Sequence, residues 1–364
     1  MSDSIKAEAG ALREFSVQLA RAMGADVEVG DTVAQHLVNA NLSGHDSHGV
    51  LRWPQYVAEL DRGELDPAAR VQVIRESPVT ALFDARCGFG QHSTMAATHW
   101  VLAHAREHGV AAAAVRHSMH IGRLGEYTER VAEAGLVGVV TVGVAGPGSG
   151  SVAPFGGAAR FLGTNPWSIG VPAEGRPPMI FDAATSTVAE GKVRLALARG
   201  AAVPAGTVTD PEGRPTLDPA QLYAGGSLTP LGGDIAGHKG YGLSLASALV
   251  GGLAMIADGE PTPAGCMQRP ETWGSRMAGV FVIGLDPAAF GDAGEYRQRV
   301  AGVLDAAAAV PTAPGVERVL VPGDVERRTR DRRAIEGIPV PATAWQELLG
   351  LAERFGIEPP QPMH

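Results

Sequence analysis

Across residues 71–283 the chain alternates short β-rich runs with alanine-rich helical stretches, and this alternation constrains the fold more than any other feature. Residues 80–84, 137–142 and 280–283 predict strands, and residues 95–108 predict a helix. The first sixty residues follow a different period. Leu12, Phe15, Leu19 and Met23 recur at helical intervals, and no proline occurs before Pro54. Beyond residue 283 the pattern predicts a helix over 296–309, a strand over 319–322 and a terminal helix over 343–355 that returns to the N-terminal lobe. The fold class read from these patterns is α/β (α+β): a helical lobe over 1–72 with 310–364 packed on it, and an α/β domain over 73–309.

Glycine-rich loops in such a chain raise the question of a dinucleotide fold. The best match to a phosphate-binding turn is Gly146-Pro147-Gly148-Ser149-Gly150, but its spacing and the following Pro154 do not give GxGxxG opening a helix. The α/β domain is therefore expected to be non-Rossmann. Around Gly191-Lys192-Val193 and His238-Lys239-Gly240 the glycine spacing and the following Ser or Thr of a Walker A loop are missing, so phosphoryl transfer loses support.

Composition narrows the partners. With 364 residues, a formal charge of −9 and 19% charged residues, the sequence is expected to be a soluble globular protein without a nucleic-acid surface. Its one dense basic cluster, Arg327, Arg328, Arg330, Arg332 and Arg333, is interleaved with acids and reads as a solvated face. Cys87 and Cys266 are too few and too far apart for a disulfide framework or a CxxC site, which leaves the cytoplasm as the expected location. Charges through the first 22 residues argue against a signal peptide. The two longest uncharged stretches, 136–153 and 240–257, carry glycine, proline and serine and read as soluble elements, so no membrane partner is expected.

The chemistry concentrates in Gly44-His45-Asp46-Ser47-His48-Gly49-Val50-Leu51-Arg52. A histidine that titrates near neutrality stands four residues from an arginine able to grip a carboxylate with two hydrogen bonds, a pairing suited to an oxo-acid. The same residues would also serve as an ordinary polar helix terminus. His117 and His120 stand three apart without HExxH or paired acids, so no metal site is expected and acid/base or substrate contacts are the better reading.

Three further constellations accompany this run: Arg116-His117-Ser118-Met119-His120-Ile121-Gly122-Arg123-Leu124-Gly125-Glu126-Tyr127, Leu162-Gly163-Thr164-Asn165-Pro166-Trp167, and Phe181-Asp182-Ala183-Ala184-Thr185-Ser186 with Gly191-Lys192-Val193. With Gly237-His238-Lys239-Gly240-Tyr241-Gly242-Leu243 and Pro322-Gly323-Asp324, in this order over nearly the whole chain, they resemble the malate/L-lactate dehydrogenase family. The resemblance implies a homodimeric oxidoreductase that uses NAD or NADP and moves a hydride to or from a small 2-oxo or 2-hydroxy acid. It implies His48 as proton donor, Ser47 and Asp182 as its relay, and Arg52 as the clamp for the carboxylate substrate. His120 is the competing proton carrier or a substrate contact, and Tyr127 a further substrate contact. Asn165, Thr185, Ser186, Lys192, His238, Lys239 and Gly240 fall on the cofactor side. Taken singly, Asp182 as a strand-end cap and Asn165 in an Asn-Pro turn have conformational readings of their own.

Two alternatives accompany this reading: reduction of a cyclic imine carboxylate, which needs the same hydride, proton and clamp, and a catalytically silent binding protein. Ala183, Ala248 and Trp167 depart from the family's usual methionine, glutamate and small aliphatic. They lie off the expected proton path and bear on the choice of substrate.

Overall fold

In the computed structural model, which describes residues 4–256 and 277–363, the two chain ends meet. Strand β1 (Ser4–Ala7) pairs antiparallel with β12 (Ile338–Pro341). Helices α1 (Ala9–Ala22), α2 (Val27–Leu42) and α3 (Trp53–Asp61) share an apolar core with the final helix. Leu12, Phe15 and Leu19 of α1 recur on one face and meet Val33, Leu37, Trp53, Trp345 and Leu348 there. Asp26 starts α2 by accepting the Val29 N–H at 3.0 Å.

The centre is a seven-stranded sheet. In chain order its strands are β2 (Gln72–Glu76), β3 (Thr80–Asp84), β4 (Val110–Arg116), β5 (Val137–Ala145), β6 (Trp167–Val171), β7 (Met179–Ala183) and, after the three short strands below, β11 (Met277–Leu285). They lie in the order β2-β3-β4-β11-β5-β6-β7, with β3 and β4 parallel and every other pair antiparallel. Helices α4 (Gly90–His108) and α5 (Gly125–Glu133) cover one face, burying Val101, Tyr127 and Val131 against Val115, Val140, Val280 and Val282. Covered strands need apolar side chains on both faces, which is why β5 reads Val-Gly-Val-Val-Thr-Val-Gly-Val-Ala.

After α6 (Glu190–Ala198), a small sheet of β8 (Val208–Thr209), β9 (Pro215–Thr216) and β10 (Ser227–Leu228), with α7 (Ala220–Tyr223), leads into α8 (Gly233–Gly251). That helix packs on the other face of the large sheet, where the Ser247 hydroxyl donates to the Val142 carbonyl at 3.0 Å. Ala248 is fully buried at this contact, against Gly143 of β5, so the position offers no space for a glutamate. Helices α9 (Ala293–Ala308), α10 (Asp324–Glu336) and α11 (Ala342–Phe355) complete the chain. Cys266 lies outside the described residues.

Two sequence expectations fail here. Residues 319–322 form no strand. Pro322 has no N–H to give, and the segment makes one ladder-like bond, from the Ile180 N–H to the Pro322 carbonyl at 3.2 Å, before Asp324 turns the chain into α10. The arginine cluster is also not simply solvated. Arg330 donates to both Glu129 oxygens at 2.9 Å and to Ser43, while Arg333 forks onto Asp46 at 2.7 and 3.0 Å and donates to the Asn41 carbonyl. Arg328 and Arg332, on the outer side, remain exposed.

These contacts bind α10 to the loop that follows α2, two short 3₁₀ turns over Asp46–His48 and Val50–Arg52. Asn41 braces the loop from beneath, donating to Asp46 Oδ1 at 2.7 Å and accepting the Val50 N–H at 2.8 Å. Its amide passes so close to Gly49 that an added Cβ would lie 2.1 Å from Asn41 Oδ1. Gly49→Ala is therefore expected to cost about 1–3 kcal/mol through overpacking. Urea unfolding checks this, and a variant as stable as the parent would show that the loop has room to give.

Candidate active site

The His45–Arg52 loop brings His48 against His120, which lies between β4 and α5. The two imidazole rings stack with centroids 5.6 Å apart and planes 20° from parallel. On one side Ser47 Oγ stands 3.1 Å from His48 Nδ1. On the other, Tyr56 Oη bonds His120 Nδ1 at 2.8 Å and receives the Gln91 amide at 2.6 Å. With Gln91 assigned as donor to the Tyr56 oxygen, the tautomer that uses the Tyr56 proton within this group puts it on Nδ1 and leaves His120 with its own hydrogen on Nε2. Tyr56 and Gln91 escaped the sequence reading, and Gln91, first in the run Gln91-His92-Ser93-Thr94, carries nothing that marks it out from its polar neighbours. Tyr56 sits at a helical interval among core residues, and only the contact with His120 exposes its role.

Arg52 is aimed by its own loop. Nε donates to the Ser47 carbonyl and Nη1 to Gln55 Oε1, both at 2.5 Å, and Nη2 has no partner among the described residues. Behind it Gln55 donates to Glu59 at 2.8 Å, while burial raises the Glu59 carboxyl above its ordinary range. A guanidinium held on one edge with its other edge open is a seat for a carboxylate.

Burial, and then the Arg52 charge, pull His48 down to about 3, and they pull His120 well below its ordinary value. His36, which accepts the Arg123 N–H at 2.9 Å, is lowered to about 3 by complete burial with help from Arg123. It also dictates Gly122, whose backbone turns left-handed (φ +73°) against the ring, where an added Cβ would stand 2.2 Å from Nε2.

Other expected site residues lie elsewhere. Asp182 makes no hydrogen bond to Ser47 or His48. Its Oδ2 accepts the Gly125 N–H at 2.7 Å at the start of α5, so the expected relay is not formed by direct contact. Tyr127 is fully buried and donates to the Ile121 carbonyl at 2.5 Å, which makes it a brace of the His120 segment and not a substrate contact. His117 is also structural, with Nδ1 3.0 Å from Asp84. No group of metal-ligating side chains occurs among the described residues.

The expected cofactor-side residues divide into two sets. Asn165 is buried at φ +36° and ties Val144 to the Ser244 carbonyl. Thr185 and Ser186 bond neighbouring carbonyls, and Gly240 lies where an added Cβ would stand 2.2 Å from the Leu231 carbonyl oxygen. These four shape the backbone. Lys192, His238 and Lys239 are exposed, on α6 and α8. Neither helix start has a side-chain cap, and an added Cβ at Gly191 would lie 3.6 Å from the Ser47 Cβ. Uncapped amides at the start of α6, beside Ser47, suit the negative charge of a dinucleotide's phosphates.

Stacked histidines beside a half-anchored arginine suit acid/base chemistry on a small carboxylate. The family model of malate/L-lactate dehydrogenases matches residues 7–349, and the chain belongs to that family. It is 33% identical to hydroxycarboxylate dehydrogenase B of Escherichia coli (strain K12) over 98% of this chain and 96% of that one. It is likewise 33% identical to the Δ1-pyrroline-2-carboxylate reductase of Ancylobacter novellus over 92% of this chain and 93% of the relative. Among solved structures, malate dehydrogenase from Entamoeba histolytica superposes with a TM-score of 0.89 at 27% identity, covering 99% of this chain and all of that one.

A histidine kept neutral in the folded state but free to charge when unfolded favours folding above pH 6.5 and loses that contribution as the pH falls toward 3. Stability is therefore expected to fall steadily across this window, and His36→Gln to flatten the slope. Urea midpoints measured at several pH values check this, and an unchanged slope in the variant would contradict a buried neutral His36.

Proposed function

We propose that the chain catalyses NAD(P)-linked interconversion of a small 2-oxo acid and its 2-hydroxy acid, with His48 as the acid/base and Arg52 as the carboxylate clamp. The observation that carries the reading is the stacked His48–His120 pair beside an arginine with one free edge. Bound nicotinamide supplies the hydride in reduction and takes it in oxidation. Lys192, His238 and Lys239, with the amides at the starts of α6 and α8, are the groups that would hold the dinucleotide.

Proton transfer is assigned to His48, which shares its loop with the Arg52 clamp, and His120, bonded at Nδ1 to Tyr56, is read as an Nε2–H donor toward the reacting oxygen. In the oxidation direction a neutral His48 takes the hydroxyl proton. In reduction it must first be charged, and a substrate carboxylate on Arg52 favours this by offsetting the nearest positive charge. Ser47 holds Nδ1 and orients the ring. Asp182 is left out of the proton path, since it is engaged at the Gly125 amide.

A second reading, reduction of a cyclic imine carboxylate, is favoured by the same depressed His48, because an iminium brings its own proton to the site. The two readings differ in pH dependence. Keto-acid reduction should fall as His48 loses its proton, and imine reduction should track the protonation of the substrate instead.

A homodimer is part of the proposal, with the exposed Ile235, Leu243, Leu249 and Leu253 on and just beyond α8 as the face for the second copy. No helix among the described residues is long and apolar enough to cross a membrane, and we place the enzyme in the cytoplasm.

NADH and NADPH consumption over a panel of 2-oxo acids and cyclic imine carboxylates tests the reading, and silence across the panel with cofactor bound would favour a binding protein. His48→Ala should lower kcat by about 10²–10⁴-fold, the range typical of a lost general acid or base. Arg52→Lys should raise KM for the acid by roughly 10- to 100-fold, the loss of one charge-assisted bond of about 1.5–3 kcal/mol. KM for the cofactor should hold. Tyr56→Phe should lower kcat while leaving KM for the acid near the parent value, and a parental kcat would remove the tautomer lock from the mechanism.

A further inference from the structure

We propose that His45 and Glu326 form a proton port that connects His48 to solvent from the side opposite the substrate. The inference rests on the reading of His48 as the group that exchanges a proton in every turnover. Reduction consumes one hydride and one proton: the carbonyl π bond breaks, its carbon gains the hydride, and its oxygen takes the proton from His48. The imidazole is then neutral and must be recharged from water before the next cycle. On the proposed reading substrate and nicotinamide would occupy the Arg52 side of the loop, and the port supplies a second route for the proton.

The groups for such a route are in place. The His45 ring meets the His48 ring edge-on, with centroids 6.5 Å apart and planes at 68°. On its far side His45 Nε2 lies 3.2 Å from Glu326 Oε1. Glu326 comes from the first turn of α10, the helix that Arg333 and Arg330 fasten to the loop and to α5. Its side chain is 28% exposed and lines a cavity of about 180 Å³ together with Arg123, Glu129, Glu133, Arg327 and Arg330. His45 is exposed to the same degree, 29%, so the pair together forms the outer end of the path and the reacting histidine its inner end. Glu326 delivers a proton to His45 Nε2, His45 gives one up through water and the Ser47 hydroxyl to His48 Nδ1, and Glu326 is recharged from the cavity. In oxidation every step reverses. The charged groups facing the pair are Asp46 on the loop itself, Asp182 from β7, Arg123 before α5, and Arg327 and Arg333 from α10.

A structural prop and a proton port make different kinetic demands. Glu326→Gln and His45→Gln keep the size of each side chain and remove its ability to carry a proton. The port predicts that a first turnover, started with His48 already charged at mildly acidic pH, runs within about threefold of the parent. Steady-state kcat should fall by about tenfold or more, within the range of a lost proton-transfer group, with KM for the acid unchanged. Added formate should restore the steady-state rate of Glu326→Gln in proportion to its concentration. Imidazole nitrogen spectra of the cofactor-free variants should show His48 as in the parent, and thermal melts should be close to parental.

Three outcomes overturn the port: an unchanged kcat, equal loss in the first and later turnovers, or no response to formate. His48→Ala separates the two levels. If it keeps its turnover, the underlying reading of His48 fails. If it loses even the first turnover while the Glu326 variant behaves as the parent, only the port fails.

Discussion

The Asp46 carboxylate is the constraint on which the site depends. It receives the Asn41 amide from α2 and the Arg333 fork from α10, so two helices separated by nearly three hundred residues of sequence converge on one side chain in the histidine loop. A loop of two 3₁₀ turns has few backbone bonds of its own to resist motion. The charge-assisted fork, half-sheltered from water, supplies what the turns lack. Because His48 and Arg52 both belong to that loop, their positions relative to His120 on the sheet are set by contacts made outside the site.

Electrostatics give the second layer of the design. Arg52 and Arg123 lie close enough to His48 to disfavour its charging, and burial does more. The chain thus stores an acid/base group in its neutral form beside an open guanidinium. The device is economical, since the arginine edge that a carboxylate would occupy belongs to the same charge that holds the histidine neutral. A ligand that binds the one alters the other.

Much of the architecture was legible in the sequence because it rests on period alone. The central strands and the long helices on the sheet follow their apolar spacing, and the loop motif sets His48, Ser47 and Arg52 together in the sequence as they stand together in the fold. What period cannot carry is a contact between distant segments. Tyr56 and Gln91 looked like ordinary helix residues until the fold set them against His120. Asp182 sat in a recognisable motif, yet its carboxylate went to the Gly125 amide at the start of α5, a bond made across 57 residues of sequence. The arginines of α10 showed the same limit from the other direction. Alternating charges usually mark a solvated face, and here only Arg328 and Arg332 behave so, while Arg330 and Arg333 turn inward to partners on α5 and the loop.

The motifs expected to meet cofactor divide along a similar line. Asn165, Thr185, Ser186 and Gly240 give their polar atoms or their smallness to the backbone around them, and only Lys192, His238 and Lys239 keep exposed side chains. A conformational role and a binding role are not exclusive in such a border. The first amides of α6 and α8 have no side-chain caps, and those of α6 begin beside Ser47. Trp167, one of the departures from the family pattern, is pinned by its indole N–H to the Leu243 carbonyl at 3.1 Å, so the bulk that replaces a small aliphatic is fixed on α8 and not free to swing.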